Sequence, residues 1–448
     1  MTGRRIAGSL LLALYAAIAA AVAAAATVYR SDLLHLAVQP DVLQRLSGAL
    51  IALGALWVLV VIRSYQILRP MRMSISAHAL GAASVAVMCF AVGVPVAWSA
   101  HSTYVYRDAL TSIFRTGSEN GKHVDTDDPF NGQARVNILL LGGDAASDRT
   151  GVRTDSMTLA SVDTETGDTV LLSLPRNLES FPMPPGPARD RFPYGFTGDG
   201  PLNPGLLNEV YEYAEQHPDV VPGVPKNHRG PELLKATIAG VLGLRVDYYI
   251  LVDMFGFADI VDAMGGVRMK VTEPIPYGLE GAVLQPGYRK LNGKEALWYG
   301  RSRTNSSDYV RMGRQKCLMR AIAEQADPQT VLTSFDKLAA AAKRTLATDI
   351  PQELLPALVK LSNEVKDGAE IRSLQFVPPL IYTGNPDFKL IRKLASEAVN
   401  SAPHAVSASP SGTSASPSAT PSRSPDAPDG SAPPKPDTKP VSLEASCP

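Results

Sequence analysis

Three apolar stretches free of charged residues, 6–29, 46–62 and 79–98, fill most of the first hundred positions of this 448-residue chain. A bilayer core about 30 Å thick takes about 20 helical residues, so the first and third are long enough to cross and the second is at the short end. Such a start restricts the fold to a membrane-anchored one. Arg4 and Arg5 precede the first stretch, and Arg63, Arg69 and Arg72 follow the second, whereas the loop between the first two carries only Arg30 and Arg45. The positive-inside rule then places the amino terminus in the cytoplasm and everything after the third crossing outside. The first stretch also resembles a signal peptide, with Arg4-Arg5 ahead of it and small residues through Ala26. Its apolar core exceeds the usual 7 to 15 residues, so we read an uncleaved anchor; either way the large domain ends on the same side.

The remainder divides by composition. Residues 101–134 are polar and mixed, and read as a juxtamembrane linker. Residues 135–400 alternate between strand-like and helix-like runs. Strands are expected at 136–141, 157–162, 169–174, 248–252, 267–272 and 371–377, and helices near 205–216, 231–242, 255–264, 293–302, 311–325 and 351–365. That alternation argues for one α/β domain, a mixed sheet with helices on both faces in an α/β/α arrangement. Residues 401–448 are rich in Ser, Pro and Ala, with too little apolar surface to offset ordering entropy, and read as a disordered tail.

Charge is balanced, with 43 basic and 43 acidic residues, so bulk affinity for nucleic acid is not expected. Cys89, Cys317 and Cys447 fall one each in a span, a helix and the tail, so no disulfide framework is visible. The seven His show no zinc-ligand spacing. Residues 287–294 look superficially like a phosphate loop, but the spacing is off by one and Glu295 stands where Ser or Thr is required.

The densest chemistry lies in Arg301-Ser-Arg303-Thr-Asn-Ser-Ser-Asp-Tyr-Val-Arg311-Met-Gly-Arg314-Gln315. Guanidinium groups pair bidentately with phosphate oxygens and keep their charge, so four of them beside an apolar helix suggest a phosphate or pyrophosphate site. A solvated charged face would read the same way. Upstream, Val136-Asn-Ile-Leu-Leu-Leu-Gly-Gly-Asp144 is an apolar run ending in an acid, where open α/β sheets bind ligands. Arg149-Thr-Gly-Val-Arg153-Thr-Asp155 and Leu174-Pro-Arg176-Asn177 follow. Two carboxylates with phosphate oxygens suit Mg²⁺. Equally, Asp144 alone reads as a turn residue, and Arg153 with Asp155 as a surface ion pair.

Together with Tyr248-Tyr249-Ile-Leu-Val-Asp-Met-Phe-Gly-Phe-Ala-Asp-Ile-Val-Asp-Ala-Met-Gly-Gly-Val267 and Leu291-Asn-Gly-Lys-Glu-Ala-Leu-Trp-Tyr-Gly-Arg301-Ser-Arg303, these segments resemble the LytR-CpsA-Psr family of bacterial cell-wall ligases. The resemblance implies transfer of a glycopolymer from a polyprenyl pyrophosphate carrier to peptidoglycan. It implies Mg²⁺ on Asp144 and Asp155, catalytic roles for Arg153, Arg176, Arg301 and Arg303, and pyrophosphate binding by Arg149, Arg311, Arg314 and Gln315. Thr154 stands where the family usually has Ser, and Asn177 where it often has Asp, so no general base rests on 177; Asp148, Asp155 and Asp308 are the candidates. The resemblance also implies an apolar slot for the carrier, with Leu206, Leu207, Val210, Tyr211, Leu233, Leu234, Ile238, Val241 and Leu242 available, residues that otherwise read as core. A lipid pyrophosphate hydrolase and a non-catalytic polyprenyl-phosphate-binding regulator remain the alternative functions.

Overall fold

The structure, a computed structural model, describes residues 40–68, 75–114, 124–125, 127–144, 152–200, 205–278, 281–303, 307–325, 335–366, 368–401 and 438–447. In chain order the elements are α1 (Pro40–Leu68), α2 (Ile75–Ile113), β1 (Arg135–Asp144), β2 (Arg153–Asp163), β3 (Thr169–Leu174), α3 (Pro187–Arg191), α4 (Val210–Gln216), α5 (Lys226–Leu242), β4 (Tyr248–Asp253) and α6 (Met254–Ala263). There follow β5 (Val267–Val271), β6 (Ile275–Tyr277), β7 (Ala282–Leu284), β8 (Gly287–Leu291), α7 (Gly293–Arg301), α8 (Asp308–Gln325), α9 (Phe335–Thr345) and β9 (Leu346–Thr348). The last are α10 (Leu355–Lys366), β10 (Ile371–Gln375), α11 (Phe388–Asn400), β11 (Val441–Ser442) and α12 (Leu443–Ser446).

Seven strands form one sheet in the order β11-β10-β3-β2-β1-β4-β9. β1 pairs parallel to β4 and β3 parallel to β10, while the other neighbours run antiparallel. The sheet is therefore mixed, as the alternation of runs predicts. Its consequence for function is geometric: β1, β3, β4 and β10 all end at the same edge, where β2 begins.

Strand alternation assigns the two faces. Leu139 and Leu141 of β1, Leu159 of β2, Leu172 of β3 and Tyr249 and Leu251 of β4 enter the main core with Leu234, Ile238 and Val241 of α5 and Ile391 and Leu394 of α11. On β4 the intervening Tyr248 and Ile250 turn to the other face, against Leu110, Phe114, Ile350 and Leu354. A smaller third core joins Val261, Val267, Leu291, Ala296, Tyr299 and Leu318, so α6, α7 and α8 pack around the β5–β8 hairpin. One buried ion pair braces the sheet. Lys235 Nζ lies 2.5 Å from Asp349 Oδ2, whose Oδ1 accepts the Tyr249 N–H at 2.8 Å.

α1 and α2 carry the expected second and third apolar stretches, and both are long and apolar enough to cross a bilayer. The expected first span, 6–29, lies outside the described residues. Three sequence expectations are corrected. The linker assigned to 101–134 is helical through Ile113, because Leu110 and Phe114 are apolar and bury against Ile350 and Leu354. The tail assigned to 401–448 does not stay free at its end: Val441 and Ser442 pair with Ser373 and Arg372, and Cys447 is disulfide-bonded to Cys317 on α8. The absent framework expected for the cysteines therefore gives way to one bridge, with Cys89 a free thiol.

Candidate active site

The edge where β1, β3 and β4 end is prepared by an irregularity in β2. Gly142 pairs with Ser156 and Gly143 with Thr154, so Asp155 is the extra residue of a β-bulge. A bulge bends the strand and re-aims a side chain. Here the carboxylate meets Arg176, two residues beyond the end of β3, with Nη1 2.6 Å from Asp155 Oδ1. Arg176 Nε donates to Asp308 Oδ2 at 2.9 Å. Asp308 opens α8 and sits within 4 Å of two further guanidiniums, Arg311 Nη2 at 3.8 Å and Arg303 Nε at 3.9 Å.

Three cations thus converge on one carboxylate and a second carboxylate flanks them. Burial works against the charge of Arg176, but its hydrogen bonds to Asp155 and Asp308 outweigh that and raise its pKa. Burial also pushes the Asp308 carboxyl up, yet the Arg176 hydrogen bond and the fields of Arg311, Arg176 and Arg303 hold it below its ordinary 3.8. A carboxylate so stabilised is a poor proton acceptor, which weakens Asp308 as a general base. Arg311 is shifted down, chiefly by burial, and its side chain is only 3% exposed. Its Nε, like the buried Asn177 Oδ1 beside Arg176, has no hydrogen-bond partner among the described residues. Buried polar atoms left unsatisfied at a cationic cluster are where a ligand's oxygens or ordered water belong.

The other sequence candidates are placed elsewhere or only partly described. Arg314 Nη2 donates to the Ser302 carbonyl and Gln315 Nε2 to the Gly300 carbonyl at 3.0 Å. Both close the carboxyl end of α7, whose last carbonyls lack partners within their own helix. Arg301 lies over the Trp298 ring at 5.9 Å. Arg153, about half exposed, reaches Glu212 of α4 at 3.2 Å. Arg149 and Asp148 fall outside the described residues. For Asp144 only the backbone is described: it ends β1 and pairs in register with Arg153, on the strand next to Asp155.

The residues present fit a Mg²⁺ ion in part. Two acids lie at one sheet end on neighbouring strands, and a third group of ligands would have to come from phosphate and water, as that ion prefers. Among the described residues no cluster of three or more His, Cys, Asp or Glu side chains is suited to a metal. Of the residues expected to line a lipid slot, Leu206 is half-buried and the rest are packed within the main core. A cavity of about 180 Å³ does open at the sheet's carboxyl end, lined by Gly143, Val152, Leu251, Asp253, Thr345, Leu346 and Ala347.

Asp308, one of the three candidate bases in the sequence, is instead the shared partner of three guanidiniums and the centre of this arrangement. Its signal was local: an acid at the first helical turn, three residues before Arg311. Thr383 had no such signal, although its hydroxyl accepts from Asn177 Nδ2 at 3.3 Å and so fixes the loop that carries Arg176.

A family model described as the LytR_cpsA_psr family matches residues 104–382. Biofilm regulatory protein A of Streptococcus mutans is 26% identical over 290 residues, covering 60% of this chain and 64% of that protein. The polyisoprenyl-teichoic acid--peptidoglycan teichoic acid transferase TagU of Oceanobacillus iheyensis is 27% identical over 254 residues, covering 56% of this chain and 70% of that one. The probable cell wall biosynthesis protein LcpB of Corynebacterium glutamicum is 30% identical over 237 residues, covering 52% of this chain and 46% of that one. The chain thus spans less than two thirds of the length of the first and third of these relatives.

Proposed function

The chain belongs to the LytR-CpsA-Psr family, and from that premise we propose that it transfers a glycopolymer from a polyprenyl pyrophosphate carrier to peptidoglycan. The name of the Oceanobacillus relative, a teichoic acid transferase acting between a polyisoprenyl carrier and peptidoglycan, supports the reaction class. The observation that carries the reading here is the convergence of Arg176, Arg303 and Arg311 on the Asp308 carboxylate. That carboxylate marks where an anion is held.

In the reaction, a sugar hydroxyl of peptidoglycan attacks the phosphorus that bears the glycopolymer. A P–O bond to the acceptor forms, the bridging P–O bond to the polyprenyl phosphate breaks, and the hydroxyl proton passes to a base. Charge grows on the departing phosphate, and fixed guanidiniums that face it lower the barrier without reorganising. Arg176, Arg303 and Arg311 take this part; Asp155 orients Arg176. A Mg²⁺ held by Asp144 and Asp155 would add charge neutralisation at the same oxygens.

We also place the domain outside the cell behind three membrane spans. The Arg distribution of the first hundred residues supports this, and so does the Cys317–Cys447 disulfide, since such bonds persist in oxidising compartments. Alkaline phosphatase fused after Thr116 should be active; activity only of a cytoplasm-specific reporter at that point would sink the topology.

The chemical test supplies lipid-pyrophosphate-linked sugar and a peptidoglycan acceptor, and follows polyprenyl phosphate release and sugar attachment together. Both products are expected. Release without attachment makes the protein a hydrolase, and tight binding with neither product makes it a non-catalytic binder.

A further inference from the structure

α2 fixes which way the site faces. It runs unbroken for 39 residues, about 58 Å at 1.5 Å per residue, nearly twice what a bilayer core requires. Its apolar stretch ends at Trp98, which is exposed, and Tyr104 one to two turns on is exposed as well. Aromatic side chains of this kind mark a membrane–water boundary. Beyond them the helix continues as the wall of the folded domain. Asp108, ten residues or about 15 Å past Trp98, is ion-paired to Lys343 near the end of α9. Leu110 and Phe114 then pack on Ile350 and Leu354, and the Phe114 carbonyl accepts from Gln352.

These contacts define a direction. Lys343 lies two residues before Thr345, where α9 passes into β9, and Leu346 pairs with Val252 at the carboxyl end of β4. Tyr248, at the amino end of β4, instead lies in the core with Phe114. As α2 leaves the apolar span it therefore meets first the sheet end that bears Asp155 and Arg176, and only later the opposite end.

We propose that the carboxyl-end face of the sheet rests on a lipid bilayer surface, so that the cationic site opens toward the membrane and not away from it. The exposed ring that meets the headgroups is Phe255, 59% accessible in the first turn of α6 directly after β4. Its position is set by close packing: a Cβ at the neighbouring Gly256 would stand 1.9 Å from Thr345 Cβ, so α6 begins against the end of α9. A lipid-linked pyrophosphate then reaches Arg303 and Arg176 while its chain stays in the bilayer. The proposal rests on the reading of α2 as a span.

The test uses full-length protein in nanodiscs of phosphatidylglycerol and phosphatidylethanolamine, with Cys89→Ser removing the free thiol. Single spin labels are placed by Val87→Cys in the span, Phe255→Cys, and Lys360→Cys on α10, which crosses the opposite sheet end near Gly167. Collision with lipid-soluble oxygen is compared with collision with a water-soluble nickel chelate. The oxygen-to-nickel ratio should be highest at 87 and several-fold higher at 255 than at 360. Equal ratios at 255 and 360, with 87 in lipid, overturn the orientation while leaving the span intact. A water-exposed label at 87 overturns the span itself.

Discussion

Asp308→Asn gives the sharpest test of the cationic cluster, because it keeps the side chain's shape and removes the charge that three guanidiniums share. In the parent, Arg176 Nε is 2.9 Å, Arg311 Nη2 3.8 Å and Arg303 Nε 3.9 Å from the carboxylate. Arg311 is almost fully buried, so losing its counter-charge leaves a desolvated cation poorly compensated. Breaking a buried pair this way costs about 3–5 kcal/mol, and the lower end applies because Asp308 is a fifth exposed and Asp155 remains. At about 2–4 °C per kcal/mol for a domain of this size, the variant should melt about 6–12 °C lower. Inorganic pyrophosphate should then reverse the loss. A ligand at a hundred times its Kd adds about 2.7 kcal/mol, and in the variant it no longer competes with a resident carboxylate for the same donors. Near-UV circular dichroism of detergent-solubilised protein, with and without pyrophosphate, reads both effects. A loss below about 1 kcal/mol, or stabilisation by pyrophosphate as large in the parent as in the variant, would refute the shared anion position.

Replacing Arg176 or Arg303 by Ala should slow polyprenyl phosphate release by about 10²–10³, and Arg176→Lys should recover little because an ammonium cannot span Asp155 and Asp308 as the guanidinium does. The depressed pKa of Asp308 means its contribution to stability is complete above 3.8 and fades as pH falls through the lower folded value. Urea midpoints of parent and Asp308→Asn should therefore converge below pH 3.8, and a gap that stays constant there would contradict the assignment. Asp349→Ala leaves buried Lys235 only its pair with the part-exposed Glu232 and removes an acceptor of the Tyr249 N–H, and should cost about 3 kcal/mol, the low end for a broken buried pair, in the same melts. If Asp155 helps hold Mg²⁺, Asp155→Ala should abolish the thermal shift that added Mg²⁺ gives in the presence of pyrophosphate; an unchanged shift removes that role.

The elements legible in the sequence were those with long apolar runs, since β1, β2, β3, β4 and β10 bury one or both faces and must be written in Leu, Val and Ile. α9, β9 and α11 were not seen. α9 offers Ala where a helix pattern normally offers larger apolar residues, and β9 is three residues at a sheet edge. The Arg cluster was visible as composition, but its division of labour was not. Arg311, Arg314 and Gln315 share one helix within five residues, and only the end of α7, with carbonyls to satisfy, diverts the last two. Asp308 was legible as a candidate base three residues before Arg311, but its pairing with Arg176 spans 132 residues and leaves no local mark.

The bridge between Cys317 and Cys447 changes what a cut in the chain would do. It closes a covalent ring that runs from Cys317 to Cys447, 130 positions apart, and the stretch between Ser401 and β11 lies within that ring. A protease that nicks this stretch once releases no fragment. The two pieces travel together on a denaturing gel until a reductant parts them, and the short carboxyl-terminal piece keeps its place at the sheet edge, shielding β10 from pairing with another chain.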